Sequence, residues 1–189
     1  MNIFATAMTQ PKILLNEKQL ELTINRLCFQ LIENHNDFAH TVLVGLQPRG
    51  SLLSEIIVKR LNEIKPDIKI RHGLLDVSFY RDDFRRRDTP ISVSSTTLNE
   101  VIEDQKVVLI DDVLYTGRTI RSGLDALMDF GRPKSVEFLV MIDRRFSRQL
   151  PIQADYIGRT VDAVASERID VKWNGDSGIV YLNTLSADE

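Results

Sequence analysis

Residues 107–119, reading VVLIDDVLYTGRT, restrict the fold more than any other part of the chain. Val107, Val108, Leu109 and Ile110 form a short apolar, β-branched run of the kind that makes a buried strand. Two adjacent carboxylates follow, Asp111 and Asp112, and Val113, Leu114 and Tyr115 connect them to a turn of small residues, Thr116-Gly117-Arg118-Thr119. A helix begins there. A strand that turns into a helix in this way aims backbone N–H groups and hydroxyls at one point, where the positive end of the helix dipole also acts. The arrangement suits a phosphate, with carboxylates one strand-end away to accept from hydroxyls or from a hydrated metal. Asp at a strand end or Thr at a helix cap is ordinary taken singly. Two acids, a Thr-Gly-x-Thr turn and a buried strand together select the functional reading.

A second unit of the same design precedes it. Residues 41–46, TVLVGL, read as a strand that enters Gln47-Pro48-Arg49-Gly50 and then a helix with Leu53, Ile56, Ile57, Leu61 and Ile64 on one side. Pro48, Arg49 and Gly50 occupy the same place in this unit as the turn does in the first. They are expected to grip diphosphate, Gly50 letting the backbone approach closely.

The remaining elements follow from spacing. Asn16 and Gln19 form a capping box ahead of a helix carrying Leu20, Ile24, Leu27, Leu31 and Ile32. His35 and His40 flank its end and read as surface histidines. After the central motif, Ile120, Leu124, Leu127 and Met128 form a packing stripe, with Arg121, Ser122, Asp125 and Asp129 opposite; Gly131 and Pro133 end that helix. Residues 67–78 read as a strand or pair of strands, 136–142 as a strand and 149–164 as irregular. Ile169, Val171 and Trp173 alternate as one arm of a hairpin that returns over 179–182. The highly charged FYRDDFRRRDTP, residues 79–90, is expected to be a mobile lid that brings Tyr80, Arg81, Arg85 and Arg86 over a polyanion and excludes water. Residues 92–105 form its polar return leg.

Strands alternating with helices imply an α/β fold, a mainly parallel sheet flanked by helices on both faces. The 189 residues are expected to form one domain, with an N-terminal arm over 1–11, the lid over 79–90 and a small C-terminal hairpin or hood over 144–182. Ligands of such folds collect at the carboxyl ends of the strands, where all the candidate segments begin. A net charge of −3 gives no global drive toward nucleic acid, so an RNA contact would need a local basic patch. The single cysteine, Cys28, lies on an apolar helix face and excludes an intrachain disulfide or a cysteine metal site. Neither a secretion signal nor a membrane span is evident, which makes cytoplasm the expected location.

Residues 107–119 also resemble the phosphoribosyl-diphosphate (PRPP) motif of the type I phosphoribosyltransferases. The likeness continues through Leu114-Tyr115, Asp76 with Tyr80-Arg81-Asp82-Asp83, Gly131-Arg132-Pro133, Leu150-Pro151-Ile152 and the run from Ala154 to Gly158. Over residues 16–182 the chain resembles the pyrimidine-operon attenuation regulators that are also uracil phosphoribosyltransferases. That resemblance implies formation of UMP and diphosphate from uracil and PRPP, with Mg²⁺ arriving on PRPP and no preformed metal site. It further implies UMP or UTP as effector, a pyrimidine-operon mRNA leader as partner, and a homo-oligomer, dimer or higher. Asp111 and Asp112 would hold the ribose hydroxyls, Thr116, Gly117, Arg118 and Thr119 the 5′-phosphate, and Arg49 with Gly50 the diphosphate. Arg144 and Ile169 would lie near the base, and Arg145, Arg148 and Arg159 could meet RNA phosphates. Two departures stand out: Pro48 where the family usually has Thr, and the spacer Arg145-Phe146-Ser147-Arg148-Gln149, one residue longer than the usual Gly-His-Arg-Glu. The rival readings are a purine or orotate transferase without RNA binding, and an RNA-binding regulator with vestigial activity.

Overall fold

The computed structural model describes residues 11–82 and 95–184. The chain runs β1 (Lys12–Leu15), α1 (Glu17–His35), β2 (Thr41–Gln47), α2 (Gly50–Ile64), β3 (Arg71–Asp76), a single 3-10 turn (Ser78–Tyr80), β4 (Lys106–Leu114), α3 (Arg118–Met128), β5 (Ser135–Arg145), β6 (Tyr156–Asp162), β7 (Glu167–Asn174) and β8 (Ser177–Thr184). Five strands form one sheet in the order β3-β2-β4-β5-β6, every pairing parallel. A second sheet, β1-β8-β7, is antiparallel.

Alternation along the central strands explains their unbroken apolar runs. Leu43, Val108, Ile110 and Met141 face α1 and α2 and join Leu27, Leu31, Leu53 and Ile57 in one core. Their neighbours Val42, Val44, Val107, Leu109 and Val140 face the other way and join Ile120, Ala126 and Leu127 of α3. A strand buried on both faces has no polar side to show, so its sequence reads as continuous hydrophobic residues. Each fully buried Leu or Ile contributes on the order of 1.5–3 kcal/mol by leaving water. The small sheet closes over the first core through Ile169 and Val180, with Trp173 packed partly buried against it.

Helix α1 begins with the expected capping box: the Gln19 N–H donates to Asn16 Oδ1 at 2.9 Å and the Asn16 N–H donates to Gln19 Oε1 at 3.0 Å. Several expectations need correction. Residues 149–164 are not irregular throughout, because β6 joins the large sheet as its edge strand beside β5. Lys12–Leu15, unread in the sequence, pairs with β8. The polar 92–105 leg places Leu98 and Ile102 in the core, 7% and 0% exposed. Ser122 is not on a solvated face; its hydroxyl donates to the Tyr80 carbonyl at 3.1 Å. His35 is buried at 6% exposure, its Nδ1 3.0 Å from Thr41 Oγ1 and its Nε2 3.1 Å from the Tyr156 hydroxyl. The N-terminal arm, apart from Pro11, and Arg85 and Arg86 of the expected lid lie outside the described residues.

Candidate active site

Strand β4 does not stop at Ile110. It continues through Asp111 and Asp112 to Leu114, so both carboxylates stand in strand backbone rather than in a loop. They are 5% and 6% exposed, and the Asp112 N–H donates to Asp111 Oδ1 at 2.9 Å. Burial pushes both carboxyls above the ordinary carboxylate range. The charge of Asp112 adds to the rise at Asp111, while the Arg49 guanidinium opposes it at Asp112. Two buried acids side by side, with an arginine facing them, cost stability unless something supplies hydrogens or positive charge.

The turn after β4 wraps a cavity of about 630 Å³, lined among others by Asp111, Thr116, Gly117, Arg118, Thr119 and Ser122. Val113, Leu114 and Tyr115 complete the wall on the strand side, and Arg81 and Asp82 reach it from beyond the 3-10 turn. Gly117 has φ +91, a left-handed conformation that side chains disfavour, and it caps α3 without a side-chain hydrogen bond. The first turn of α3 carries no acid. The Arg118 N–H donates to Thr116 Oγ1 at 3.3 Å, and no carboxylate of the first turn meets the N–H groups that follow it. The same holds at α2, where Arg49 is the cap residue, makes no capping hydrogen bond, and no acid follows in the first turn.

Gly50 needs a correction of reason. A Cβ there would sit 2.2 Å from the Ile110 carbonyl oxygen and 3.0 Å from Asp111 Cα. The glycine lets α2 start directly against β4, and this close packing already accounts for it. Pro48, joined to Gln47 by a cis peptide, and Arg49 are exposed on the turn just before it.

On the other side, Arg144 is 5% exposed, its guanidinium lying 4.0 Å over the Tyr115 ring and donating to the Val164 carbonyl at 3.1 Å, while its Nε has no partner. Ile169 is 3% exposed within the core beneath the small sheet. Arg145 is paired with Asp162 at 2.6 Å. Arg148 is paired with Asp143 and also donates to the Tyr115 carbonyl, and Arg159 donates to the Leu14 carbonyl. Tyr80 donates its hydroxyl to Asp129, which raises the phenol's pKa, and Arg118 is ion-paired with Asp82.

Three side chains at this end of the sheet escaped sequence reasoning. Gln149 accepts from Arg118 Nε at 2.7 Å. Gln47 is buried with its Oε1 unpartnered. Asp82 is ion-paired with Arg118 of the turn after β4. Only Asp82 carried a signal, its place in the run after Tyr80-Arg81. Among the described residues no group of three or more His, Cys, Asp or Glu could hold a metal by itself. The donor set, two adjacent carboxylates beside a cavity, fits a Mg²⁺ that arrives with substrate phosphates as its main ligands.

Comparison with known proteins agrees with this geometry. The phosphoribosyl transferase domain family matches residues 11–174. Solved hypoxanthine phosphoribosyltransferases share the fold. The Staphylococcus aureus enzyme superposes with a TM-score of 0.67 at 22% identity, covering 100% of this chain and 99% of its own. The Trypanosoma cruzi enzyme gives 0.68 at 18%, covering 92% and 97%. The fold and site therefore define a phosphoribosyltransferase, one of the pentosyltransferases. The Haemophilus ducreyi bifunctional protein PyrR is 40% identical over 93% of this chain and 98% of the relative. Its Bacillus subtilis counterpart is 38% identical over 87% and 91%. The chain belongs to the PyrR family of type I phosphoribosyltransferases.

Proposed function

We propose that the protein transfers the phosphoribosyl group of PRPP to uracil, releasing diphosphate, and that it also regulates pyrimidine biosynthesis genes by binding their mRNA in response to uridine nucleotides. The observation that carries the enzymatic half is the handover from the buried Asp111–Asp112 strand to the uncapped Gly117 turn around one cavity. The family relationship carries the choice of uracil and the regulatory half.

In this reading Thr116, Gly117, Arg118 and Thr119 bind the 5′-phosphate, using the N–H groups of the turn and the positive end of the α3 dipole. Asp111 and Asp112 accept hydrogen bonds from the ribose hydroxyls, which supply the hydrogens that the buried carboxylates lack. Pro48, Arg49 and Gly50 face the departing diphosphate at the α2 terminus, where Arg49 and the helix dipole stabilise its charge. Asp111 and Asp112 are the carboxylates that would hold a Mg²⁺ brought in on the substrate, and such an ion would supply charge neutralisation there. The sugar passes through an oxocarbenium-like state, as at other glycosidic centres. The protein therefore works by holding donor and base in register and by fixing charge around them, rather than by covalent chemistry. Arg144, stacked on Tyr115, and the core residue Ile169 are the base-side candidates, and Tyr80 and Arg81 are the lid candidates among the described residues.

For RNA, Arg145 and Arg159 are the phosphate contacts we favour on an acidic surface, with Arg148 the third candidate. The working assembly is a homo-oligomer in the cytoplasm. Turnover of a panel of free bases with PRPP and Mg²⁺ tests the enzyme: uracil is expected to be the substrate used, and preference for a purine or orotate would overturn the assignment. Binding to a pyrimidine leader RNA, weakening steeply as salt rises, tests the regulator.

A further inference from the structure

We propose that residues 148–150 are a strap that orients the phosphate turn, with Arg148 and Gln149 as positioning residues for the phosphoribosyl donor. The proposal rests on the reading that the turn binds the donor's 5′-phosphate. The strap lies in the segment whose length departs from the family pattern, and nothing in the motif itself points to it.

The argument is one of peptide geometry. In a planar trans peptide the C=O of one residue and the N–H of the next point in opposite directions. Fixing a carbonyl therefore fixes the following N–H. The Tyr115 carbonyl accepts from the Arg148 guanidinium, which sets the Thr116 N–H pointing the other way. The Thr116 carbonyl accepts from the Gln149 N–H at 3.0 Å and the Leu150 N–H at 3.2 Å, which sets the Gly117 N–H in the same manner. Two successive donors of the turn are thus aimed from behind. Gln149 also accepts from Arg118 Nε at 2.7 Å, so the arginine of the turn is steered by the strap too. Arg148 is itself held by Asp143, the residue before Arg144 on β5.

Packing supports the same role. A Cβ on Gly117 would lie 3.4 Å from both Leu150 Cβ and Ile152 Cδ1, so the strap runs directly beneath the left-handed residue. Left to itself, a turn with a glycine at its centre would sample several peptide orientations. An anion site made of backbone donors is strong only if those donors converge before the ligand arrives. The strap supplies that convergence, from the end of the strand that also carries Arg144. Arg148 on this account faces the turn and is spent there, leaving Arg145 and Arg159 as the arginines for RNA.

Steady-state kinetics of Arg148→Ala and Gln149→Ala, with uracil and PRPP varied separately, test it. Loss of one hydrogen bond from a charged donor corresponds to a rise of about tenfold in KM for PRPP in Arg148→Ala, with KM for uracil and kcat within about twofold. Arg148→Lys, which keeps one donor, is expected to recover part of the loss, and Gln149→Ala to show a smaller rise of the same kind. KM for PRPP unchanged in both alanine variants, or equal damage to both substrates, overturns the strap; if Arg148→Ala fails to fold, Arg148→Lys and Gln149→Ala carry the test. Backbone amide spectra with added UMP separate this from the underlying reading. If the Thr116 and Gly117 amides of the unsubstituted protein do not respond to UMP, the phosphate assignment itself fails. If they respond, and respond identically in Arg148→Ala at the same UMP concentration, only the strap fails.

Discussion

The two ends of the large sheet bury polar groups in opposite ways. At the amino end, where β2 and β6 begin, His35, Thr41, Glu137, Tyr156 and Asn34 form a closed network. The Tyr156 hydroxyl donates to Glu137 at 2.5 Å and accepts from Asn34 at 2.9 Å, and both nitrogens of His35 are within 3.2 Å of a partner. At the carboxyl end, Gln47 Oε1 on β2 and Arg144 Nε on β5 are buried without partners, and Asp111 and Asp112 sit between them with their pKa values raised. The helices divide in the same way. Helix α1 carries a capping box and Glu17 in its first turn, whereas α2 and α3, which start at the carboxyl end, have neither. A chain that completes a buried polar cluster at one end leaves the other incomplete, the arrangement expected of a binding site.

The largest expected effect comes from filling the open end artificially. Replacing both acids, Asp111→Asn with Asp112→Asn, is expected to cut kcat/KM for PRPP by about a hundredfold or more, since the groups proposed to face the ribose lose their charge. The same variant is expected to be more heat-stable at neutral pH. Burial raises both carboxyls, so the folded protein binds protons more tightly than the unfolded chain, and stability falls as pH rises above the ordinary value of 3.8. Asparagine removes that penalty. A double variant with full activity, or one that melts earlier at pH 7, would break the contrast between the two ends.

The closed end should show the reverse. Tyr156→Phe deletes one hydroxyl from a satisfied network and leaves Glu137, Asn34 and His35 each short of a partner. A loss of about 1–3 kcal/mol in unfolding free energy is expected, with kcat/KM for PRPP unchanged within about twofold. Equilibrium denaturation beside the activity assay checks it, and a large activity loss would mean that the amino end belongs to the site after all. A smaller, pH-dependent effect sharpens the point. Burial, helped by the charge of Lys106, lowers the pKa of His35 against the opposing pull of Glu137, and burial alone lowers that of His72. The folded state then binds fewer protons than the unfolded, so stability present above the ordinary imidazole value of 6.5 declines as pH falls below it. His35→Gln should flatten part of that decline between about pH 7 and 5 while His72 sustains the rest.

The open end was far more legible in the sequence than the closed one, and the reason is chain distance. The phosphate turn, the paired acids and the α2 turn each lie within a dozen consecutive residues, so type and spacing alone expose them. The His35 network joins residues more than a hundred positions apart, and nothing around His35 announces Tyr156 or Glu137. Strand β6 was hidden for a related cause. Its burial is that of an edge, with only Tyr156 and Val161 buried, and Gly158 interrupts the pattern because a side chain there would meet the Met141 carbonyl at 2.4 Å. Helical spacing put Ser122 opposite the packing stripe, yet it is covered by the Tyr80 segment, a tertiary contact that no periodicity reports. Asn16 and Gln19 show the converse, since a capping box is complete within four residues.

The smallest expected effect concerns an exposed arginine on the rim of the carboxyl end. Arg145 and Asp162 form an ion pair between neighbouring strand termini, each about half exposed. Exposed pairs of this kind add little to folding because solvent screens them and two long side chains lose freedom. Asp162→Asn should therefore leave the melting temperature and UMP formation where they are. What it changes is local charge: the Asp162 carboxylate holds Arg145, and its removal leaves the guanidinium free for another anion. If Arg145 meets an RNA phosphate, the variant binds leader RNA more tightly at low salt, and the slope of log affinity against log salt steepens by about 0.7, the increment for one further contact on a single strand. Arg145→Gln should move both quantities the opposite way. An Asp162→Asn protein whose RNA affinity and salt slope match the unsubstituted chain would instead mean that Arg145 serves only its strand neighbour, and that the RNA surface lies elsewhere on this acidic protein.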